Sequence, residues 1–217
     1  MVTSVRARSG PAKAARRAEM VRVAHDLWRA HRYEDITLQA VAARLGLTKA
    51  ALYGYFPTKE SLFLALYETL LGDFVDDWER HLTLGGTHTP ASLATLSAAL
   101  LADHADLTRL TPHLAGLLER NLTPEGALAH KRWLLARLEP LLRALCRALP
   151  TLPPERALPL LTYTQALVAG LYPMGDPAPA VQAALSDPEL APLCVTFAPA
   201  LRSALEALYT GLAAGPS

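Results

Sequence analysis

All-α is the fold class the sequence predicts, on three observations. Apolar residues recur at helical spacing through most of the chain, no segment alternates with the period of a strand, and prolines punctuate the second half at helix-length intervals. Two of the seventeen prolines precede residue 89 and fifteen follow it, so long helices come first and shorter, interrupted ones later. With 51% apolar and 19% charged residues the 217-residue chain can bury a sizeable core. A mean hydropathy of +0.17 leaves apolar surface for a pocket or an interface.

Residues 1–12 are small, polar and basic, with Gly10 and Pro11, and read as a disordered basic arm. A first helix is expected from Lys13 to His31, with Met20, Ala24, Leu27 and Trp28 on one face and a turn at Glu34-Asp35. Thr37 is placed to cap a second helix whose stripe is Leu38, Val41, Ala42 and Leu45. Gly46 follows, suited to a left-handed C-terminal turn. Thr48 then caps a short third helix with Leu52 and Phe56 inward, and Pro57 ends it. Thr58 caps a long fourth helix with a stripe of Leu62, Phe63, Leu66, Leu70, Phe74 and Trp78, closed by Gly85-Gly86. Further helices are expected at about 91–104, 106–121, 124–149, 154–172, 178–186 and 192–212, with kinks or breaks at Pro112, Pro140, Pro159 and Pro199.

Capped helix, glycine turn and capped helix over Thr37–Phe56 make a helix-turn-helix. Its outward residues are Lys49, Ala50, Ala51, Tyr53, Gly54 and Tyr55. Charge agrees with a nucleic-acid partner. Residues 1–60 carry eleven Lys/Arg against five Asp/Glu, whereas residues 61–217 carry ten against fifteen. A basic head on an acidic body is the footprint of polyanion binding.

Other classes fit less well. There is no nucleophile elbow, HExxH, phosphate-binding glycine loop or paired carboxylate cluster, so a small helical enzyme is a remote alternative. His25, His31, His81, His88, His104, His113 and His130 lack ligand spacing, and neither metal nor cofactor is expected. Cys146 and Cys194 show no CxxC spacing and read as free thiols of a cytoplasmic protein. No secretory signal is apparent. Residues 157–175 carry no charge, but Pro159, Thr162, Thr164, Gln165 and Pro173 mark a buried helix rather than a membrane span.

Ile36–Leu62, above all its Leu52-Tyr53-Gly54-Tyr55-Phe56-Pro57-Thr58-Lys59-Glu60 run, resembles the signature of the TetR family of transcriptional regulators. Ala24–Trp28 fits that family's first helix, and the resemblance covers about residues 14–80. It implies a DNA-binding unit over residues 13–60 and a helical ligand-binding and dimerisation domain over 61–217. Thr37 and Lys59 would meet phosphates at helix N-termini. Thr48, Lys49 and Tyr53 would lie at double-stranded operator DNA, with Tyr53 and Tyr55 partly on phosphates. Base readout would come from Lys49, Ala50 and Ala51, and Arg6, Arg8, Lys13, Arg16 and Arg17 would add non-specific attraction. Three positions depart from the pattern: Arg32 replaces a glycine before Tyr33, Ala51 a threonine or serine, and Gly54 a frequent histidine. Two polar contacts are thereby lost and more weight falls on phosphates.

In the remaining body, large or polar-tipped groups on apolar helices nominate Phe74, Trp78, His104, His113, Leu117, Trp133 and Tyr163 as the lining of a pocket for a small apolar or aromatic effector. Arg109 and Arg120 are available to neutralise an acid, or are simply solvated. The helices near 154–172 and 192–212, the second with Phe197, Leu201, Leu205, Leu208 and Leu212 on one side, either close the monomer's core or pair with a second chain as a four-helix bundle. The resemblance favours a homodimer that represses from a palindromic operator and is released by ligand. An activator, or a regulator with no ligand, is the alternative.

Overall fold

The structure is a computed structural model that describes residues 5–214, with side chains described from residue 10. Residues 1–4 of the expected arm, and the side chains of Arg6 and Arg8, lie outside the described residues. Ten α-helices and four short 3-10 or π-helical turns account for the ordered elements, and no strand occurs among the described residues.

The first helix, α1 (Val5–Ala30), begins eight residues before the expected Lys13. Gly10 and Pro11 do not stop it; the chain there is exposed, so the helix only forgoes the hydrogen bond that Pro11 cannot donate. A 3-10 turn, Tyr33–Asp35, leads to α2 (Leu38–Arg44) and α3 (Lys49–Tyr53). Then α4 runs unbroken for 27 residues, Lys59–Gly85, and its apolar stripe from Leu62 to Leu82 is buried. It packs on α1 and on α7 (Pro124–Ala148), so one rigid rod, about 40 Å long, crosses from the N-terminal unit into the body.

The body adds α5 (Pro90–Asp103), α6 (Ala105–Leu110), α8 (Pro154–Gly175), α9 (Pro179–Ala184) and α10 (Phe197–Ala213). The helix expected over 106–121 is broken at Pro112. Past it the chain continues as a π-helical turn, Leu114–Leu118, and a 3-10 turn, Glu119–Asn121. Pro140 and Pro159 sit inside continuous helices. The segment at 192–212 starts as a 3-10 turn, Pro188–Leu193, before α10.

Of the two partners the sequence leaves open for the α10 stripe, the monomer's own core takes its centre. Leu201, Leu205 and Tyr209 are buried within this chain, where α10 packs on α5 and α8. Apolar side chains from Met20 to Tyr209 form one continuous core spanning N-terminal unit and body, so movement in one is felt by the other.

Candidate DNA-binding face and effector cavity

Three threonines organise the candidate DNA-binding face. Thr37 Oγ1 accepts from Ala40 N at 3.1 Å, Thr48 Oγ1 from Ala51 N at 3.2 Å, and Thr58 and Ser61 form a reciprocal capping box. Each satisfies an amide that the first turn of a helix leaves free. Between α2 and α3 the chain turns at Gly46, with φ of 63°. Leu47 N donates to Ala42 O at 2.9 Å and Gly46 N to Ala43 O at 3.2 Å, a Schellman motif. Leu38, Val41, Leu52 and Phe56 are buried and fix α3 against α2.

That leaves Lys49, Ala50, Ala51, Tyr53 and Gly54 exposed on α3, with Tyr55 half-buried beyond it. Tyr53 is 41% exposed, and the Lys49 ammonium lies 5.5 Å from its ring centre. Thr37, Lys49, Tyr53, Thr58 and Lys59 line one open depression; Ala50, Ala51 and Gly54 lie outside it. On the α1 side, Lys13 approaches the Tyr55 ring at 5.9 Å and Arg17 the Phe56 ring at 4.9 Å.

Lys59, expected at a phosphate, is also bound within the chain. Its Nζ donates to Tyr33 O at 2.5 Å and Ile36 O at 2.9 Å and sits 3.8 Å from the Tyr33 ring centre. Burial lowers its pKa, against the pull of Glu60, Glu34 and Asp35. The ammonium therefore ties the turn that feeds α2 to the start of α4. A signal for this is present in the sequence. A lysine in the first turn faces the positive end of its own helix, and so calls for an acceptor elsewhere in the chain.

In the body, a cavity of about 130 Å³ lies among α4, α6, α7 and α8. Tyr67, Leu71, Phe74, Val75 and Trp78 line it from α4, Leu138 and Leu141 from α7, and Leu161, Thr164, Gln165 and Val168 from α8. No Asp, Glu, Lys, Arg or His lines it. Of the seven nominated residues, the structure brings Phe74 and Trp78 together here. His104 Nε2 bonds Asp77 Oδ2 at 3.1 Å, and the His104 ring faces an outer groove with His25 and Asp106. His113 lies at the junction of body and N-terminal unit, stacked on Tyr33. Leu117 is half-buried in the π-helical turn. Trp133 stacks on His130 with ring centres 6.1 Å apart and lines a separate depression with Arg17, Tyr55 and Glu68. Tyr163 is 49% exposed on the outer face of α8.

The two arginines considered for an acidic ligand are also elsewhere. Arg109 lies over the Trp28 ring at 3.7 Å and donates to Trp28 O, and Arg120 is exposed. Two groups that the sequence did not nominate for a site stand out. Gln165 stands on the cavity wall, and an amide within the uncharged stretch 157–175 is its signal. His130, its side chain 1% exposed, has Nδ1 2.9 Å from Glu68 Oε1 and Nε2 3.4 Å from Glu119 Oε1. Among the described residues no cluster of three or more His, Cys, Asp or Glu is arranged to hold a metal ion, and no helix is long and apolar enough to cross a membrane.

Comparison with known proteins agrees with this geometry. Residues 21–66 match the family described as bacterial regulatory proteins, tetR family, and residues 68–216 match the tetracyclin repressor-like C-terminal domain. Among solved structures, the chain is similar to a transcriptional regulator (TerR/AcrR family) from Aquifex aeolicus VF5. Identity is 17% and the TM-score 0.44, over 88% of this chain and 98% of that one. No curated protein sequence matches the chain. The two family matches cover both the helix-turn-helix and the body, and the chain belongs to the TetR family as a DNA-binding transcriptional regulator.

Proposed function

We propose that this regulator is a repressor that binds a palindromic operator as a homodimer and is released by a small apolar or aromatic effector held in the body cavity. The observation that carries this reading is the course of α4. It starts beside the DNA-binding face at Lys59 and lines the cavity with Tyr67, Leu71, Phe74, Val75 and Trp78. A ligand that displaces these side chains tilts the rod, and the tilt changes the separation of two recognition helices that must meet half-sites about 34–36 Å apart.

On this reading residues 13–60 bind DNA and 61–217 sense and pair. Lys49, Ala50 and Ala51 face bases, with Gly54 leaving room beside them; Thr37, Thr48, Tyr53 and Tyr55 meet phosphates; the basic residues before Lys13 add attraction from the arm. Lys59, on the same depression, holds the turn before α2 to the start of α4. Pairing uses α8 and α10, through faces turned away from the monomer's core. On α8 these carry the exposed Tyr163 and Met174, and on α10 Ser203, Ala207 and Gly211. The site of action is the cytoplasm, where the operator lies.

The test is fluorescence anisotropy on operator DNA with and without saturating effector. Repression by release predicts weaker DNA binding with ligand, and weaker ligand binding with DNA by the same factor. A ligand that occupies the cavity and leaves DNA affinity unchanged contradicts it.

A further inference from the structure

We infer that the body cavity is a well open between α7 and α8, which takes the apolar end of an amphipathic ligand and leaves its polar end, charged or neutral, in solvent at the mouth. This rests on the reading of the cavity as the effector site and adds the class of molecule that fits and the direction in which it lies.

Burial along the wall locates the opening. Tyr67, Phe74, Val75 and Trp78 on α4 are buried, and so are Leu107 and Thr111 on the side of α6. The two exposed wall residues both belong to α8: Leu158, 43% exposed, and Thr162. Half-buried wall residues are Leu71 on α4, Leu134 and Leu138 on α7, and Leu161 and Gln165 on α8. Positions 158, 161, 162 and 165 share one face of α8, and 134 and 138 one face of α7. The two helices pack on each other, so the wall passes from buried to exposed where these faces meet.

Polarity changes along the same line. Inside, Thr111 Oγ1 donates to Leu107 O at 2.9 Å and Thr164 Oγ1 to Leu160 O at 2.8 Å, each bonding the preceding helical turn. At the mouth stand Thr162 and the Gln165 amide, within reach of water or of a ligand's headgroup. No Asp, Glu, Lys, Arg or His lines the wall. An ion drawn inside therefore lacks a counter-ion and is strongly disfavoured, whereas an ion held at the mouth keeps its water. The interior measures about 130 Å³, close to the roughly 150 Å³ known to hold one benzene, so a molecule larger than one ring extends through the opening.

The experiment uses the full-length protein and two pairs of probes in isothermal titration calorimetry. Benzoate and benzamide carry the headgroup directly on the ring; phenylbutyrate and phenylbutyramide carry it on a tether of three methylenes. Comparing acid with amide at one length cancels the apolar gain of the tether. Benzamide is expected to bind at least about tenfold more tightly than benzoate, whose charge is held among leucines. Phenylbutyrate and phenylbutyramide are expected to agree within about twofold, because both headgroups stay in water. Leu158→Trp, which narrows the mouth, should weaken both long probes at least about tenfold, with the melting temperature reporting that the variant is folded. Leu135→Trp, at an exposed position of α7 off the wall, should change neither. The inference is overturned if the long pair keeps the charge penalty, if the short pair shows none, if Leu158→Trp binds the long probes like the parent, or if benzamide binds and the long probes do not. That last result leaves a closed cavity as the effector site; binding by none of the four overturns the effector-site reading as well. Operator release is read separately. Phenylbutyrate bound with this pattern but without loss of DNA would support the open well and overturn induction by release.

Discussion

The imidazole of His113 stacks on the ring of Tyr33, with centres 5.2 Å apart and planes 22° apart, and so joins the turn after α6 to the turn before α2. Trp28 meets the same imidazole edge-on at 6.0 Å. Burial holds the His113 pKa below its ordinary 6.5, Arg109 and Lys59 push it the same way, and Glu34 opposes them. The folded protein therefore keeps His113 neutral where the unfolded chain takes up a proton. The stability this contributes is complete above about pH 6.5 and is lost as pH falls toward the lower folded value. Urea unfolding at pH 7.5 and 5.5 should show a smaller acid-induced loss in His113→Phe than in the parent. Equal losses would show that the stack does not exclude the proton.

Lys59→Ala separates support from phosphate contact. Losing two charge-assisted hydrogen bonds to Tyr33 O and Ile36 O should cost about 1–3 kcal/mol and lower the melting temperature. Operator affinity should fall with the salt dependence unchanged. An unaltered melting temperature with a shallower salt slope would instead make Lys59 a phosphate ligand.

Tyr53 and Lys49 are expected to behave in the opposite way. Both are exposed and bear little of the core. Tyr53→Phe should weaken operator binding several-fold, by the loss of roughly one hydrogen bond, with thermal stability unchanged. Lys49→Ala should also leave stability intact, and should relax sequence preference in a binding-site selection if its ammonium reads a base.

Gly46 is held by its backbone alone. Its φ is 63°, and no atom lies within 4 Å of the place a side-chain methyl would take. Gly46→Ala therefore meets no clash and pays only for the left-handed conformation, about 1–2 kcal/mol. Chemical denaturation should register that loss with the helical circular dichroism retained.

These contrasts also explain what was legible in the sequence. The caps at Thr37, Thr48 and Thr58 and the turn at Gly46 depend on neighbours within five residues, so residue type and spacing suffice to find them. The cavity depends on how long helices are rotated, and each step along a helix turns a side chain by about 100°. On α7, Trp133 faces His130 while Leu134 lines the cavity. On α8, Tyr163 points outward while Thr162 and Thr164 lie on the wall. Large aromatic residues are therefore poor guides to a pocket without the packing. The α10 stripe is the same lesson at another level: periodicity shows that Leu201 and Leu205 are buried, but not whether α5 or a second chain buries them. For Lys59 the sequence signals the need for an acceptor but not its identity, because the acceptors are carbonyls more than twenty residues away.

The most direct test of DNA recognition by a dimer is selection of bound sequences from a random duplex pool with the purified protein, followed by a salt titration on the winner. A dimeric operator binder enriches a palindrome, two half-sites about one helical turn apart, with affinity that falls steeply with salt. Enrichment of a single unpaired half-site would contradict the dimer, and no enrichment by folded protein at any salt would contradict sequence-specific repression itself.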